Sequence, residues 1–326
     1  SHVLTPHTEF GDTFILEVNR GCMWGCRFCA AGFVYRPYRK REKEKLIEVI
    51  EPLLQEKKKI GLLGTAVSDY PELSQLCHHI VEQGGKISLS SLRMNSFQPD
   101  IIMSLKKSGH RTVSIAPETG SERLRKVINK GLSDEEIFKA IEVLVEHQIP
   151  NLKLYFMVGL PTEQEEDIEA IITLTKKIKH QILKRGKGGR YLDRITLSIN
   201  PFIPKPHTPF QWVALDGVGN LREKLKKIKS GLKKENKVSV TYNLPKWAYI
   251  QALLSRGDRR VGKMLLTLHT VEGDWLRALK QVDVNPDFYV YRKRRFDEVL
   301  PWDFIDQGVS KEFLLSEYRM AIESEE

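Results

Sequence analysis

"RGCMWGCRFC", Arg20–Cys29, gathers three of the chain's four cysteines into a C-x3-C-x2-C pattern on a loop carrying Gly21 and Gly25. A chain this poor in cysteine and without an export signal does not read as a disulfide scaffold. Clustered thiols in such a chain bind metal or do redox chemistry. A structural zinc site takes four protein ligands, and the candidates for a fourth are Cys77 and His79. Cys77 falls on an apolar helical stripe with Leu73, Leu76 and Ile80, where a buried, inert thiol is expected. Three thiolates without a nearby fourth ligand suit an iron–sulfur cluster with one iron left open. Zinc, and a chance group of unligated thiols, stand behind as alternatives.

Outward from this loop, short β-rich runs alternate with helical patterns. "TFILEV" (Thr13–Val18) precedes it as a strand, and "EKLIEVIEPLLQEKK" (Glu44–Lys58) follows as a helix bent or restarted at Pro52. Further strands are "IGLLGTAV" (Ile60–Val67), "KISLSSL" (Lys86–Leu92), "TVSIAP" (Thr112–Pro117), "LKLYFMVGL" (Leu152–Leu160) and "RITLSINPF" (Arg194–Phe202). Helices fall between them. Ser133 with Glu136 makes a capping-box pattern, and Thr162 with Glu165 reads as another. Six strand–helix repeats indicate parallel βαβ units. An open six-stranded barrel and a doubly wound sheet fit this periodicity equally. Beyond Trp212 helices dominate, with one possible strand at "KVSVTYN" (Lys237–Asn243), so a division at 1–212 and 213–326 is expected.

The 326 residues carry a net charge of +10, which favours anionic partners. The excess lies in Lys176–Arg190, Arg222–Lys237 and Arg292–Arg295. In the second run Leu221, Leu225, Ile228 and Leu232 form an apolar stripe, so its lysines face water. Without interleaved aromatics such runs are weak evidence for nucleic-acid binding. No apolar run reaches the ~18–20 residues that span a bilayer, and no secretory leader is seen; a cytoplasmic location is expected. The chain starts without Met, which reads as a processed or truncated beginning.

Sites in βα folds lie at the carboxyl ends of the strands. The segments there are the cysteine loop, "GTAVSDY" (Gly64–Tyr70), "SLRMNS" (Ser91–Ser96), "PETGSERLR" (Pro117–Arg125), "GLPTE" (Gly159–Glu163) and "NPFIPKPHTPF" (Asn200–Phe210). Every one is polar or glycine-rich, which a merely structural rim does not require.

"CMWGCRFC", with Phe28 before the last cysteine, resembles the signature of the radical S-adenosylmethionine (radical SAM) superfamily. "APETGSERLRKVINKG", "FMVGLPTE" and "NPFIPKPHTPFQW" resemble segments of its elongator-protein-like branch, which includes methylthiotransferases and cobalamin-binding enzymes. The resemblance implies an α/β fold, a partial (β/α)6 TIM-like barrel at residues 1–212 with a mainly helical C-terminal extension at 213–326. It implies that Cys22, Cys26 and Cys29 hold a [4Fe–4S] cluster whose open iron binds S-adenosylmethionine. An electron then cleaves that cofactor to a 5′-deoxyadenosyl radical. Phe28 would lie near the adenine. Gly64 and Thr65 stand where the family often has Gly-Gly-Glu, and here the acid is missing. Ser91 and Arg93 would reach the ribose and carboxylate, Glu118 the amine or ribose, and Arg123 the carboxylate. Val158, Gly159 and Pro161 match the adenine contact.

Each has a plainer reading. Ser91 ends a strand, Glu118 and Arg123 form a surface ion pair of little net value, Arg125 is a solvated helix residue, and Gly159–Pro161 is a turn. The resemblance leaves three functions in play: a cobalamin-dependent radical enzyme whose cobalamin domain precedes residue 1, an RNA-modifying radical enzyme, and a non-catalytic metal-binding interaction protein. Ferredoxin or flavodoxin would serve as electron donor. No Asp-x-His-x-x-Gly cobalamin signature occurs in the chain.

Overall fold

Period-two burial defines the strands: in β1 (Thr13–Arg20) the side chains of Phe14, Leu16 and Val18 are buried on one face. The computed structural model describes residues 7, 11, 13–56, 59–89, 92–185 and 192–323. After β1 come β2 (Arg39–Lys40), α1 (Lys43–Gln55), β3 (Lys59–Gly64), α2 (Leu73–Glu82), β4 (Lys86–Leu89) and α3 (Pro99–Lys107). Then follow β5 (Thr112–Glu118), α4 (Glu122–Val127), α5 (Asp134–Glu146), β6 (Asn151–Val158), α6 (Glu165–Arg185) and β7 (Arg194–Pro201). The remainder is α7 (Val218–Leu232), β8 (Val238–Tyr242), α8 (Pro245–Arg256), α9 (Arg259–Thr270), α10 (Trp275–Gln281), α11 (Pro286–Val290) and α12 (Lys311–Glu323).

The strands pair in the orders β2-β1-β3-β4 and β5-β6-β7-β8. All pairs are parallel except β1 with β2. A parallel bridge between Leu92 and Ile115 joins the two halves. This is the expected α/β architecture, an open parallel sheet with helices; among the described residues β2 and β8 do not pair, so the sheet is not closed. The sequence pattern counts six parallel strands, and the structure has one more. Beyond Trp212, α7 crosses back and β8 pairs parallel with β7 from Ile195↔Val238 to Ile199↔Tyr242. Residues 213–326 therefore supply a strand as well as helices.

The main core lies between the sheet and α1, α2, α3, α5, α6 and α7. A second cluster joins Phe33, Phe210 and Trp212 to Leu314 and Tyr318 of α12. Helix α1 runs unbroken through Pro52, where a bend is expected from sequence. Proline costs one backbone hydrogen bond there, but Leu46, Ile50 and Leu54 remain buried on one face and hold the helix. The Ser133–Glu136 capping box is fully formed. Thr162 does not cap α6: it has φ +62°, its carbonyl accepts from Arg123, and Asp167 accepts from the Gln164 N–H instead, at 2.8 Å.

The α7 stripe of Leu221, Leu225, Ile228 and Leu232 is buried as expected. Arg222, Lys226, Lys229 and Lys233 border a groove floored by Val238 and Val240, with Tyr242 at one end. Beside it the outer edge of β8 has no partner strand among the described residues. The four cations of the Arg292–Arg295 run are half neutralised, Arg292 and Arg294 sharing Glu298 and Arg295 pairing with Asp297. Residues 186–190 of the first basic run lie outside the described residues. Among the described residues no helix is long and apolar enough to cross a membrane.

Candidate active site

The cysteine loop leaves the carboxyl end of β1, and two close approaches fix its path. Gly21 has φ +84°, and a Cβ there would stand 2.4 Å from the Tyr35 carbonyl oxygen. A Cβ on Gly32 would stand 2.2 Å from the Trp24 carbonyl oxygen. Both positions exclude any side chain. Between them the loop is tied to the end of α4. The Arg27 N–H donates to the Ile128 carbonyl at 2.9 Å, and Asn129 Nδ2 donates to the Gly25 carbonyl at 3.0 Å. Trp24 Nε1 donates to Asp69 at 2.7 Å, and the Arg93 guanidinium lies 3.9 Å from the Trp24 ring centroid, a cation–π contact.

Cys22, Cys26 and Cys29 are free thiols lining one cavity of about 260 Å³. Burial pushes the Cys22 and Cys26 thiols up; at Cys26 the Lys130 and Arg93 charges oppose that shift. Both cations line the same cavity, so they favour the thiolate form that a metal cluster requires. The two residues considered as a fourth zinc ligand stand elsewhere. Cys77 is fully buried in the main core, and His79 pairs with Glu51 of α1 at 3.1 Å. Among the described residues no three His, Cys, Asp or Glu side chains converge on a point where they could hold a single metal ion. Three thiols lining one cavity are the donor chemistry that an iron–sulfur cluster takes.

Of the residues singled out from sequence, Phe28, Thr65, Arg93 and Glu118 line this cavity with the cysteines. Thr65 owes its place to Asn19, whose side chain donates to the Ala66 carbonyl at 2.7 Å and accepts from the Ala66 N–H. Gly64 is the residue that lets Asn19 approach, since a Cβ there would lie 2.2 Å from Asn19 Oδ1. Glu118 has φ +69° at an irregularity in the β5–β6 pairing. A non-glycine residue held there is strained, and such strain collects at functional sites.

The other candidates are not brought to the cavity. Arg123 is turned to Asp167 and the Thr162 carbonyl. Val158 is fully buried in the core. The Gly159 N–H donates to Glu163 at 2.8 Å, and Glu163 pairs with Lys224 at 2.6 Å. Pro161 does not line the cavity either. Ser91 lies outside the described residues. Arg125, read from sequence as solvated, is fully buried. It pairs with Asp134 and donates to the carbonyls of Thr119, Gly120 and Leu132, clamping the β5–α5 connection.

Three further residues of the site lie inside the segments quoted from the sequence but are given no role there. Lys130 lines the cavity and pairs with Glu118 at 2.8 Å. Trp24 supplies the platform for Arg93. Arg27, inside the loop, makes an ion pair with Glu317 of α12 at 3.0 Å. Only the strand-end rule, applied to "GTAVSDY", points near Asp69.

The sequence profile of the Radical SAM superfamily matches residues 16–175. An uncharacterised protein of Methanocaldococcus jannaschii is 39% identical over 258 residues, covering 78% of this chain and 54% of that protein. The threonylcarbamoyladenosine tRNA methylthiotransferase of Aquifex aeolicus is 27% identical over 176 residues, covering 50% of this chain and 42% of that enzyme. The chain thus spans about half or less of the length of these curated relatives. Among solved structures, the radical S-adenosylmethionine methyltransferase TsrM of Kitasatospora setae aligns with TM-score 0.45 and 14% identity, over 57% of this chain and 36% of that one. Residues 16–175 form a radical SAM domain, the domain of a superfamily of enzymes.

Proposed function

We propose that this chain cleaves S-adenosylmethionine reductively and directs the resulting radical chemistry, hydrogen abstraction or methyl transfer, at a substrate. The observation that carries this reading is the shared cavity: three cysteines of the C-x3-C-x2-C loop line it together with Phe28, Thr65, Arg93 and Glu118. Cys22, Cys26 and Cys29 would hold a [4Fe–4S] cluster, which when bound supplies the electron for cofactor cleavage. Glu118 offers a carboxylate to the cofactor's amine or ribose. Arg93, stacked on Trp24, offers a cation to its carboxylate. Phe28 gives an apolar surface beside the adenine, and the Thr65 turn supplies backbone carbonyls where the family's acid is missing. The protein's part is to bind, orient and exclude water. Gly64 and Arg123 act from outside the cavity, Gly64 by admitting Asn19 and Arg123 by bracing the start of α6. An electron donor such as ferredoxin or flavodoxin completes the reaction. Anaerobic reconstitution should give about four irons and four sulfides per chain, and a strong reductant should then release 5′-deoxyadenosine from S-adenosylmethionine. Cys26→Ala should abolish both. One bound zinc and no iron uptake would count against the reading.

A second reading, an RNA substrate, is favoured by the tRNA-modifying relative and by the row of cations on α7. RNA binding that weakens steeply with added salt supports it; binding indifferent to salt does not. Cobalamin enters as a further proposal, to be bound by a part of the whole protein outside this chain; its support is the resemblance to a branch that includes cobalamin-binding enzymes.

A further inference from the structure

We infer that Glu317 is a positioning residue for the cysteine loop, and that helix α12 clamps the loop on both sides of Cys29. This rests on the cluster reading above. Arg27 lies between Cys26 and Cys29 and is 7% exposed. Its Nε donates to Glu317 Oε2 at 3.0 Å, across 290 positions of sequence. Its Nη1 donates to the carbonyls of Lys126 and Val127 at 3.1 and 2.9 Å. One guanidinium thus ties the loop to the end of α4 and to α12 together. Its rigid planar fork reaches the three acceptors from two separate nitrogens, a spread that the single nitrogen of a lysine ammonium does not reproduce.

The second point of the clamp is Phe33. It is 1% exposed and packs in one cluster with Leu314 and Tyr318 of α12. Its ring centroid lies 6.4 Å from that of Phe313. Arg27 and Phe33 bracket Cys29, so the stretch that carries this thiol cannot shift without parting from α12. A buried ion pair adds little net stability, because desolvation offsets the attraction. Its effect is to select one arrangement: without Glu317 the buried guanidinium keeps only carbonyl partners, and the loop is free to turn it towards water.

Two measurements on Glu317→Gln test this, one of them independent of any cluster. In metal-free protein, amide hydrogen exchange across residues 22–33 should quicken about tenfold, while exchange in β6 stays unchanged. In reconstituted protein, iron should pass to a chelator about tenfold faster than from the unaltered chain. Arg27→Lys should give the same pattern, and Glu317→Asp an intermediate one. Glu312→Gln, on the exposed side of the same helix, should change neither. Loop exchange that stays the same in Glu317→Gln, or that rises equally in β6, overturns the clamp. Failure of the unaltered protein to take up iron overturns the cluster reading instead, and the exchange measurement still decides the clamp.

Discussion

Lys130 Nζ stands 2.8 Å from Glu118 Oε1 inside the cysteine-lined cavity, an ion pair whose side chains are 10% and 14% exposed. One carboxylate oxygen is held by the lysine, and the other remains available to a ligand. A hydrogen bond to a charged group is worth about 1.5–3 kcal/mol. Glu118→Gln should therefore weaken S-adenosylmethionine binding about tenfold or more, read by equilibrium dialysis on reconstituted protein. Equal affinities in the two proteins would detach Glu118 from the cofactor.

Glycine positions separate loop geometry from plain chain stiffness. Gly32→Ala would press a methyl group into the Trp24 carbonyl at 2.2 Å. Overpacking of this kind costs about 1–3 kcal/mol, and iron content should fall with it. Gly262→Ala, within α9 and with nothing inside 4 Å of the new Cβ, should stabilise by about 0.5–1 kcal/mol. Denaturant midpoints of the two variants should move in opposite directions.

Acid stability should depend on Asp258. The hydrogen bond from the Arg260 side chain holds its carboxyl down at about 2, against burial, with the Arg260 N–H and the Tyr289 hydroxyl assisting. The folded value lies below the unfolded one, so the unfolded chain takes up the proton first. The resulting stability is complete above the ordinary carboxylate range and fades as pH falls through about 2. Asp258→Asn keeps an oxygen to cap α9 and loses the charge. The unaltered protein should be the more stable at neutral pH, with the gap closing on acidification. A gap that ignores pH would assign it to the cap alone.

Local patterns carried most of the architecture. The alternation in β1 and β6, the Ser133 cap and the α7 stripe each concern neighbours within a turn or two, and each stands as the sequence indicates. The three thiols line one cavity, as their close spacing suggests, and Glu118, singled out through the resemblance of its segment, lines it with them. What local pattern cannot encode is pairing between distant segments. Arg125 looks solvated because its partners are mostly backbone carbonyls of a bend that exists only after folding. Arg123 and Asp167 meet across two βα units. Lys130 lies in the segment "APETGSERLRKVINKG", yet nothing local marks it as the partner of Glu118, and Arg27 finds its carboxylate on the last helix. The strand β8 stood out only as a possibility because its five residues follow directly on a lysine-rich run that reads as surface.

The flank of β8, which no strand covers among the described residues, has a colloidal consequence. A strand edge with unsatisfied amides invites an identical edge from another copy. Here Arg222, Lys226, Lys229 and Lys233 run alongside, and two such rows brought together would repel. That repulsion reaches about 8 Å at physiological ionic strength and only about 3 Å in molar salt. The cations that look like spare solubilising charge should therefore keep copies of the protein apart, and concentrated brine should undo them.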